Sequence, residues 1–258
     1  MAQLPANTAD AFHRGRFWLV QPKDTGHRAG ADALILAAAV PTDFAGRLAD
    51  FGAGAGAAAM AVVSRCANAE AVLVESEPEM AHFARLTLNH PQNASLRERA
   101  SLLVADVTLA GEDRERAGLG RNAFDFIIMN PPFNAASDRA SPDVIRQKAH
   151  VMADGMFEDW IKSAAAVLRS RGGIAIIARP QSIGAILAAM NGRFGGAEIV
   201  PVHAHAERNA IRIVVRAWRG TRAPLSLMPP LVLHEGSDNR FSARAEAINA
   251  GAASLLGD

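Results

Sequence analysis

An α/β fold, a mainly parallel sheet covered by helices on both faces, is what this sequence predicts, and three observations predict it. From about Arg47 onward, short apolar runs alternate with helix-like segments. The first run ends in a glycine-rich turn, Gly52-Ala53-Gly54-Ala55-Gly56, followed by a stretch of small residues with helical character. The last two runs are joined by a polar turn from His205 to Asn209, too short for a crossover helix, so they should pair as an antiparallel hairpin.

Taken in order, the first strand is Arg47-Leu48-Ala49-Asp50-Phe51, and Ala57 to Cys66 is the helix packed on it. The second, Ala71 to Val74, ends at Glu75. Pro78 then occupies the first turn of a helix through Asn89, which His90-Pro91 closes. Ser101 to Ala105 is the third strand and Phe124 to Met129 the fourth. The charged, glycine-containing stretch Gly111 to Asn122 between them reads as a solvent loop or short helix. The fourth strand runs into Asn130-Pro131-Pro132-Phe133, and the Ala-, Ser-, Asp- and Arg-rich stretch Ala135 to Asp143 suits a mobile flap over that point. Met156, Trp160, Ile161, Ala164 and Val167 mark a helix over Asp154 to Arg169, with Trp160 facing the sheet as a core residue. Gly172-Gly173 then admits a fifth strand, Ile174 to Ala178, and a helix after Pro180 ends near Asn191-Gly192. Glu198 to Val202 and Ala210 to Trp218 form the closing hairpin. In the tail, Leu231-Val232-Leu233 is a short edge strand or packed segment, and Ser242 to Leu256 an Ala-rich helix.

Half of the 258 residues are hydrophobic and 21% are charged, a composition that supports one sizeable core and excludes a fibrous or disordered chain. The longest apolar run, Ala33 to Val40, falls well short of the roughly 20 residues of a membrane-spanning helix. Met1 to Asp10 has neither the basic nor the apolar region of a secretory signal, so no membrane partner is expected. A lone cysteine, Cys66, excludes an internal disulfide, fits a cytoplasmic setting, and reads as inert packing. A net charge of +1 excludes a general polycation. Basic residues nevertheless recur at Arg208, Arg212, Arg216, Arg219 and Arg222, and at Arg14, Arg16, Lys23, His27 and Arg28. Either group suits phosphate contacts, though arginines spaced along a strand are more often its solvated face.

Chemistry concentrates where the strands end. Asp50 and the turn of Gly52, Gly54 and Gly56 let the backbone approach a ligand and aim amides at it. Gly52, Gly54 and Ala57 also satisfy the G-x-G-x-x-A form of the dinucleotide fingerprint, so the turn alone admits either a nicotinamide dinucleotide or S-adenosylmethionine. Glu75, at the second strand's end, is placed to accept from ribose hydroxyls of either cofactor. Asp106 ends the third strand, where its carboxylate either takes an adenine amino group or caps the turn into Val107-Thr108. The discriminating element is Asn130-Pro131-Pro132-Phe133. The prolines fix φ and remove donors, leaving rigid carbonyls beside the Asn130 amide oxygen to accept both hydrogens of a planar NH2 group, while Phe133 offers a flat face for stacking. Nothing in the spacing of His150, His203 and His205 suggests a metal site, and no metal is expected.

The order Asp50, Gly52-Ala53-Gly54-Ala55-Gly56, Glu75, Asp106 and Asn130-Pro131-Pro132-Phe133 resembles the class I, Rossmann-like methyltransferases with an N-P-P-[FY] motif. Gly30-Ala31-Asp32-Ala33-Leu34, the Ala210 to Val215 strand and the Pro229 to His234 tail make the chain most similar to the small-domain group with the bacterial adenine-N6 methyltransferases of valine tRNA. The resemblance spans about Gln21 to His234. It implies a three-layer sandwich with a seven-stranded, mostly parallel sheet and an antiparallel last strand. It also implies an N-terminal segment, 1–46, that covers the cofactor and brings Asp32 to it, a core over 47–222 and a packed tail over 223–258. S-adenosylmethionine is the expected cofactor and RNA, most simply tRNA, the expected substrate of a monomer or homodimer. Rival readings are methylation of a protein glutamine amide or an rRNA guanine amino group, an NAD-dependent dehydrogenase, and a non-catalytic RNA-binding relative. Departures from the family pattern are Phe51 in the glycine turn, Ser76-Glu77 after Glu75, and the absence of tyrosine.

Overall fold

The computed structural model describes residues 6–23, 30–131, 134–135, 151–152, 155–236 and 240–258. The chain enters through an antiparallel hairpin, β1 (Asn7–Phe12) and β2 (Phe17–Pro22), which its polar first residues do not announce. Side chains do for β2 what a neighbouring strand would do. The Trp18 amide donates to Asn93 Oδ1 at 2.8 Å, the Val20 amide donates to Thr87 Oγ1 at 3.0 Å, and Asn93 Nδ2 donates to the Trp18 carbonyl at 2.7 Å. Both Thr87 and Asn93 are fully buried, so these bonds also satisfy side-chain groups that water cannot reach.

Helix α1 (Ala31–Ala38) leads into the alternating core: β3 (Gly46–Phe51), α2 (Ala57–Arg65), β4 (Ala69–Glu75), α3 (Pro78–Leu88), β5 (Ala100–Val104), α4 (Gly111–Arg116) and β6 (Phe124–Met129). Two-residue strands β7 (Asn134–Ala135) and β8 (Val151–Met152) pair in parallel. There follow α5 (Met156–Val167), β9 (Leu168–Ala178), α6 (Ile183–Met190), β10 (Phe194–His203) and β11 (Ala210–Arg219). The tail holds four two-residue strands, β12 (Ser226–Leu227), β13 (Leu231–Val232), β14 (His234–Glu235) and β15 (Arg240–Phe241), and helix α7 (Ala243–Asn249). Ser242 caps α7, its hydroxyl accepting from the Ala245 amide at 3.1 Å. The tail helix is therefore shorter than the stretch read from composition. Strand β9 is longer than expected, because exposed Arg169, Ser170 and Arg171 hide its first half from any search for apolar runs.

The main sheet runs β12-β10-β11-β9-β6-β3-β4-β5, with β13 also on β10. Strands β3, β4, β5, β6 and β9 are mutually parallel, and β11 is antiparallel to both neighbours, β9 and β10. The expected seven strands and closing hairpin are present, extended to nine by β12 and β13 at the β10 edge. Central strands such as Phe126-Ile127-Ile128-Met129 are buried on both faces, as a helix-covered parallel sheet requires. Leu48, Leu73, Phe126 and Ile128 pack with α1 and α2 on one face. Ala49, Phe51, Ile127 and Met129 pack with α5 and α6 on the other.

Arg216, read from sequence as one of a basic row, is instead an internal staple, 4% exposed on β11. Its Nε donates to Glu198 Oε2 at 2.8 Å, a terminal nitrogen contacts Asp258 Oδ2 at 2.7 Å, and the guanidinium lies over the Trp218 ring. Burial pulls its pKa down, but the bonds to Asp258 and Glu198 outweigh burial and raise it. Arg216→Ala should cost about 2–3 kcal/mol in urea unfolding, the loss of charge-assisted bonds whose partners are partly hydrated. An unchanged midpoint would show that the staple carries no stability. Among the described residues, no helix is long and apolar enough to cross a membrane.

Candidate active site

The carboxyl ends of β3, β4, β5 and β6 share one edge of the sheet. Phe51 pairs with Val74 on one side and with Met129 on the other, which sets Gly52, Glu75 and Asn130 side by side where their strands end. Amides of Gly52 and Ala53 both donate to the Val74 carbonyl, at 2.9 and 3.1 Å, and so tie the glycine turn to β4. Gly52, Gly54 and Gly56 all have positive φ, at 68°, 57° and 97°. A Cβ at Gly56 would lie 2.4 Å from Leu73 Cδ2, and one at Gly52 would lie 2.7 Å from Trp160 Cη2. At Gly54 the nearest atom is the Met80 methyl at 3.5 Å. The outer glycines thus allow close packing, whereas the middle one faces room.

Half-buried Trp160 stands beside the turn rather than wholly inside the core. Its side of α5 also presents Phe157, Ile161 and Ala164. Its place in the second helical turn, near the carboxyl edge, is the one signal in the sequence that would have brought it to the site. Gly52→Ala combines left-handed backbone strain with this contact and is expected to lower the unfolding midpoint by about 5–10 °C. Adding Trp160→Phe should recover part of that loss in the same thermal melt. No recovery would mean that backbone strain alone accounts for it.

The three acidic residues are staggered. Asp50 is level with Leu73, two residues below Glu75, and Glu75 is level with Val104, two residues below Asp106. Asp50 is 2% exposed, and its Oδ2 accepts from the Ala59 amide at 3.0 Å, in the first turn of α2. Burial, and secondarily the neighbouring Glu75 charge, push its carboxyl up to about 7. Glu75 is also buried. Its Oε2 accepts from the Gly54 amide and its Oε1 from the Glu77 amide, each at 2.8 Å, and burial raises its pKa as well. A carboxylate has about four lone-pair sites, so these backbone bonds leave capacity for a further donor. Asp106 is exposed, and its Oδ1 accepts from both the amide and the hydroxyl of Thr108, at 2.8 and 2.7 Å. The turn-capping role is thus present, made through Oδ1 alone among the described residues.

Asn130 is half-buried and Pro131 buried at the end of β6. Asn130 Oδ1 is fully enclosed and has no hydrogen-bond partner among the described residues. An orphaned acceptor costs about 1–3 kcal/mol unless something donates to it. Pro132, Phe133, His150 and most of the expected flap lie outside the described residues. Asp32, in the first turn of α1, is turned to β11, where its Oδ2 accepts from Arg212 Nε at 2.8 Å.

The basic rows are largely consumed by such internal bonds. Arg14 pairs with Glu246, Arg16 donates to the Gly251 carbonyl, and Arg219 binds Asn122 and the Leu168 carbonyl. Arg208 and Arg222 are exposed, and His27 and Arg28 lie outside the described residues. Cys66 is buried, and burial pushes its thiol up. Among the described residues, no group of three His, Cys, Asp or Glu side chains is placed to hold a metal.

A mostly parallel sheet flanked by helices, with an antiparallel strand inserted before its last parallel one, is the class I methyltransferase fold. The methyltransferase small domain model matches residues 27–205, and the chain belongs to that family. It is a methyltransferase whose methyl donor is S-adenosylmethionine, which sets aside the dehydrogenase reading that the glycine turn alone allowed. A crystal structure of a predicted O-methyltransferase from Agrobacterium tumefaciens is 42% identical, with 87% of this chain and 98% of that one covered at a TM-score of 0.76. M. jannaschii TYW2, crystallised in complex with AdoMet, shares the fold at 11% identity, with 84% and 88% covered and a TM-score of 0.55. A comparison with curated proteins finds no match.

Proposed function

We propose that this enzyme methylates the N6 amino group of an adenine in RNA, with tRNA as the substrate. The observation that carries the reading is the enclosed Oδ1 of Asn130 beside the glycine turn, which has no partner among the described residues. An exocyclic amino group is planar and offers two donors. Asn130 Oδ1 takes one and the Pro131 carbonyl the other, which holds the nitrogen in place and polarises it. Bound S-adenosylmethionine supplies a methyl group on a positively charged sulfur. The protein's task is then to position and to exclude water rather than to generate a strong base.

On this reading Gly52, Gly54 and Gly56 form the bed against which the cofactor lies, and Asp50 holds that bed to α2. Glu75 accepts from the ribose hydroxyls with its remaining lone pairs, and Asp106 accepts from the adenine amino group through Oδ2. Asp32, held by Arg212, contributes to the cover over the cofactor. Pro132 keeps the acceptor carbonyls rigid, and Phe133 stacks on the target base. A base reaching this edge must be unstacked, in a loop or by extrusion.

The test is transfer of labelled methyl from S-adenosylmethionine into total bacterial tRNA, followed by digestion to nucleosides. N6-methyladenosine is the expected product. Label in protein glutamine, in guanosine or in a methyl ether would overturn the adenine assignment. The methyl ether is the second reading, favoured by the description of the A. tumefaciens relative; a hydroxyl can also donate to Asn130 Oδ1, but leaves the Pro131 carbonyl without its hydrogen.

A further inference from the structure

A cavity of about 750 Å³ opens at the turn between β10 and β11, lined by His205, Glu207, Arg208, Val232, His234 and Glu235. Strand β10 is antiparallel to β11, β11 is antiparallel to β9, and β9 is parallel to β6. The cavity at the end of β10 therefore lies on the same edge of the sheet as Asn130. Three interstrand steps separate β10 from β6, about 15 Å.

The cavity wall is built. The Arg208 amide donates to the His205 carbonyl at 3.1 Å, and His203 Nδ1 lies 2.6 Å from the Arg208 carbonyl. Amides of Leu233 and His234 donate to the carbonyls of His203 and Ala204, at 2.8 and 3.0 Å, which fastens the tail segment to the turn. Across β14 and β15, His234 is paired with Phe241 and their rings stack, with centroids 5.0 Å apart. The His205 ring lies 5.6 Å from His234, tilted by 39°. Phe241 is 42% exposed. His234 Nδ1 is enclosed and has no partner among the described residues.

We propose that this cavity binds a second nucleobase of the RNA substrate, a near neighbour of the methylated one. The proposal rests on the RNA reading above. The lining carries both signs, Arg208 against Glu207 and Glu235, which disfavours a phosphate and suits a neutral planar ligand whose edge both donates and accepts. Tilted imidazoles backed by a phenyl ring supply the flat faces that bases stack on. An imidazole edge on the cavity wall meets either a donor or an acceptor, according to its tautomer.

The experiment uses the full chain and a short single-stranded RNA carrying one 2-aminopurine, whose fluorescence falls on stacking. His205→Ala and His234→Ala should each weaken binding about tenfold and raise the KM for tRNA by a similar factor. Neither should change kcat or the thermal stabilisation by S-adenosylhomocysteine. His234→Phe, which keeps a ring against Phe241, should recover most of the quenching. No quenching by wild type, unchanged binding in His205→Ala, or no recovery in His234→Phe overturns the proposal. If the variants lose RNA binding but wild type methylates no RNA, the base site stands and the methylation reading falls.

Discussion

Replacing Asn130 with alanine is expected to lower kcat by about two to three orders of magnitude while S-adenosylhomocysteine still raises the unfolding midpoint. Asn130 Oδ1 is enclosed and makes no bond among the described residues, so its removal breaks no observed contact and relieves a desolvated acceptor. Stability should accordingly hold or rise slightly. The loss falls on catalysis, because an amino group bonded only through the Pro131 carbonyl can rotate away from the attack direction. Asn130→Asp separates acceptor from charge. It keeps an oxygen in place but puts a third carboxylate beside Asp50 and Glu75. Turnover should be intermediate, with the donor's affinity changed little. Full activity in Asn130→Ala, measured by labelled methyl transfer, would remove Asn130 from the mechanism.

Asp50→Asn should make the cofactor-free protein more stable than wild type at pH 8, with a smaller gain at pH 5. The side chain is enclosed and its folded pKa is raised to about 7, from 3.8 for the free group. A raised carboxyl favours folding below the unfolded value, and that contribution drains away as pH climbs through the folded one. Between pH 5 and 8 about two units of the shift remain to be lost, so wild type should fall by about 2–3 kcal/mol relative to Asp50→Asn in urea unfolding. Asparagine retains an oxygen for the Ala59 amide, so the first turn of α2 keeps its cap. Parallel pH profiles for the two proteins would show that Asp50 stays ionised in the fold.

Much of this architecture is written in local chemistry. Apolar strands buried on both faces, the turn with three left-handed glycines and the short β10–β11 connection are each dictated by neighbouring residues, and each was legible in the sequence. Other features depend on residues far apart in the chain. Thr87 and Asn93 complete β2 from about 70 positions away, so nothing in the polar entry segment signals a hairpin. Arg216 reads as a surface charge until Glu198 and Asp258 are brought to it. Asp32 resembles a cofactor ligand in its motif, yet its nearest charge is Arg212, 180 residues on. The sequence places Asn130 and Pro131 at the end of a strand, and β6 ends there. That the Asn130 oxygen is enclosed, with no partner among the described residues, follows only from packing.

The insertion of β11 between β9 and β10 also sets an order of events as the ribosome delivers the chain. Strand β10 is synthesised first but has no partner in the main sheet until β11 has been laid against β9. Until then the apolar edge of β9, Ile174 to Ala178, stands open, and such an edge invites pairing with another nascent chain. The polar turn from His205 to Asn209 therefore closes the hairpin and also ends the interval in which the half-made sheet is open to its neighbours.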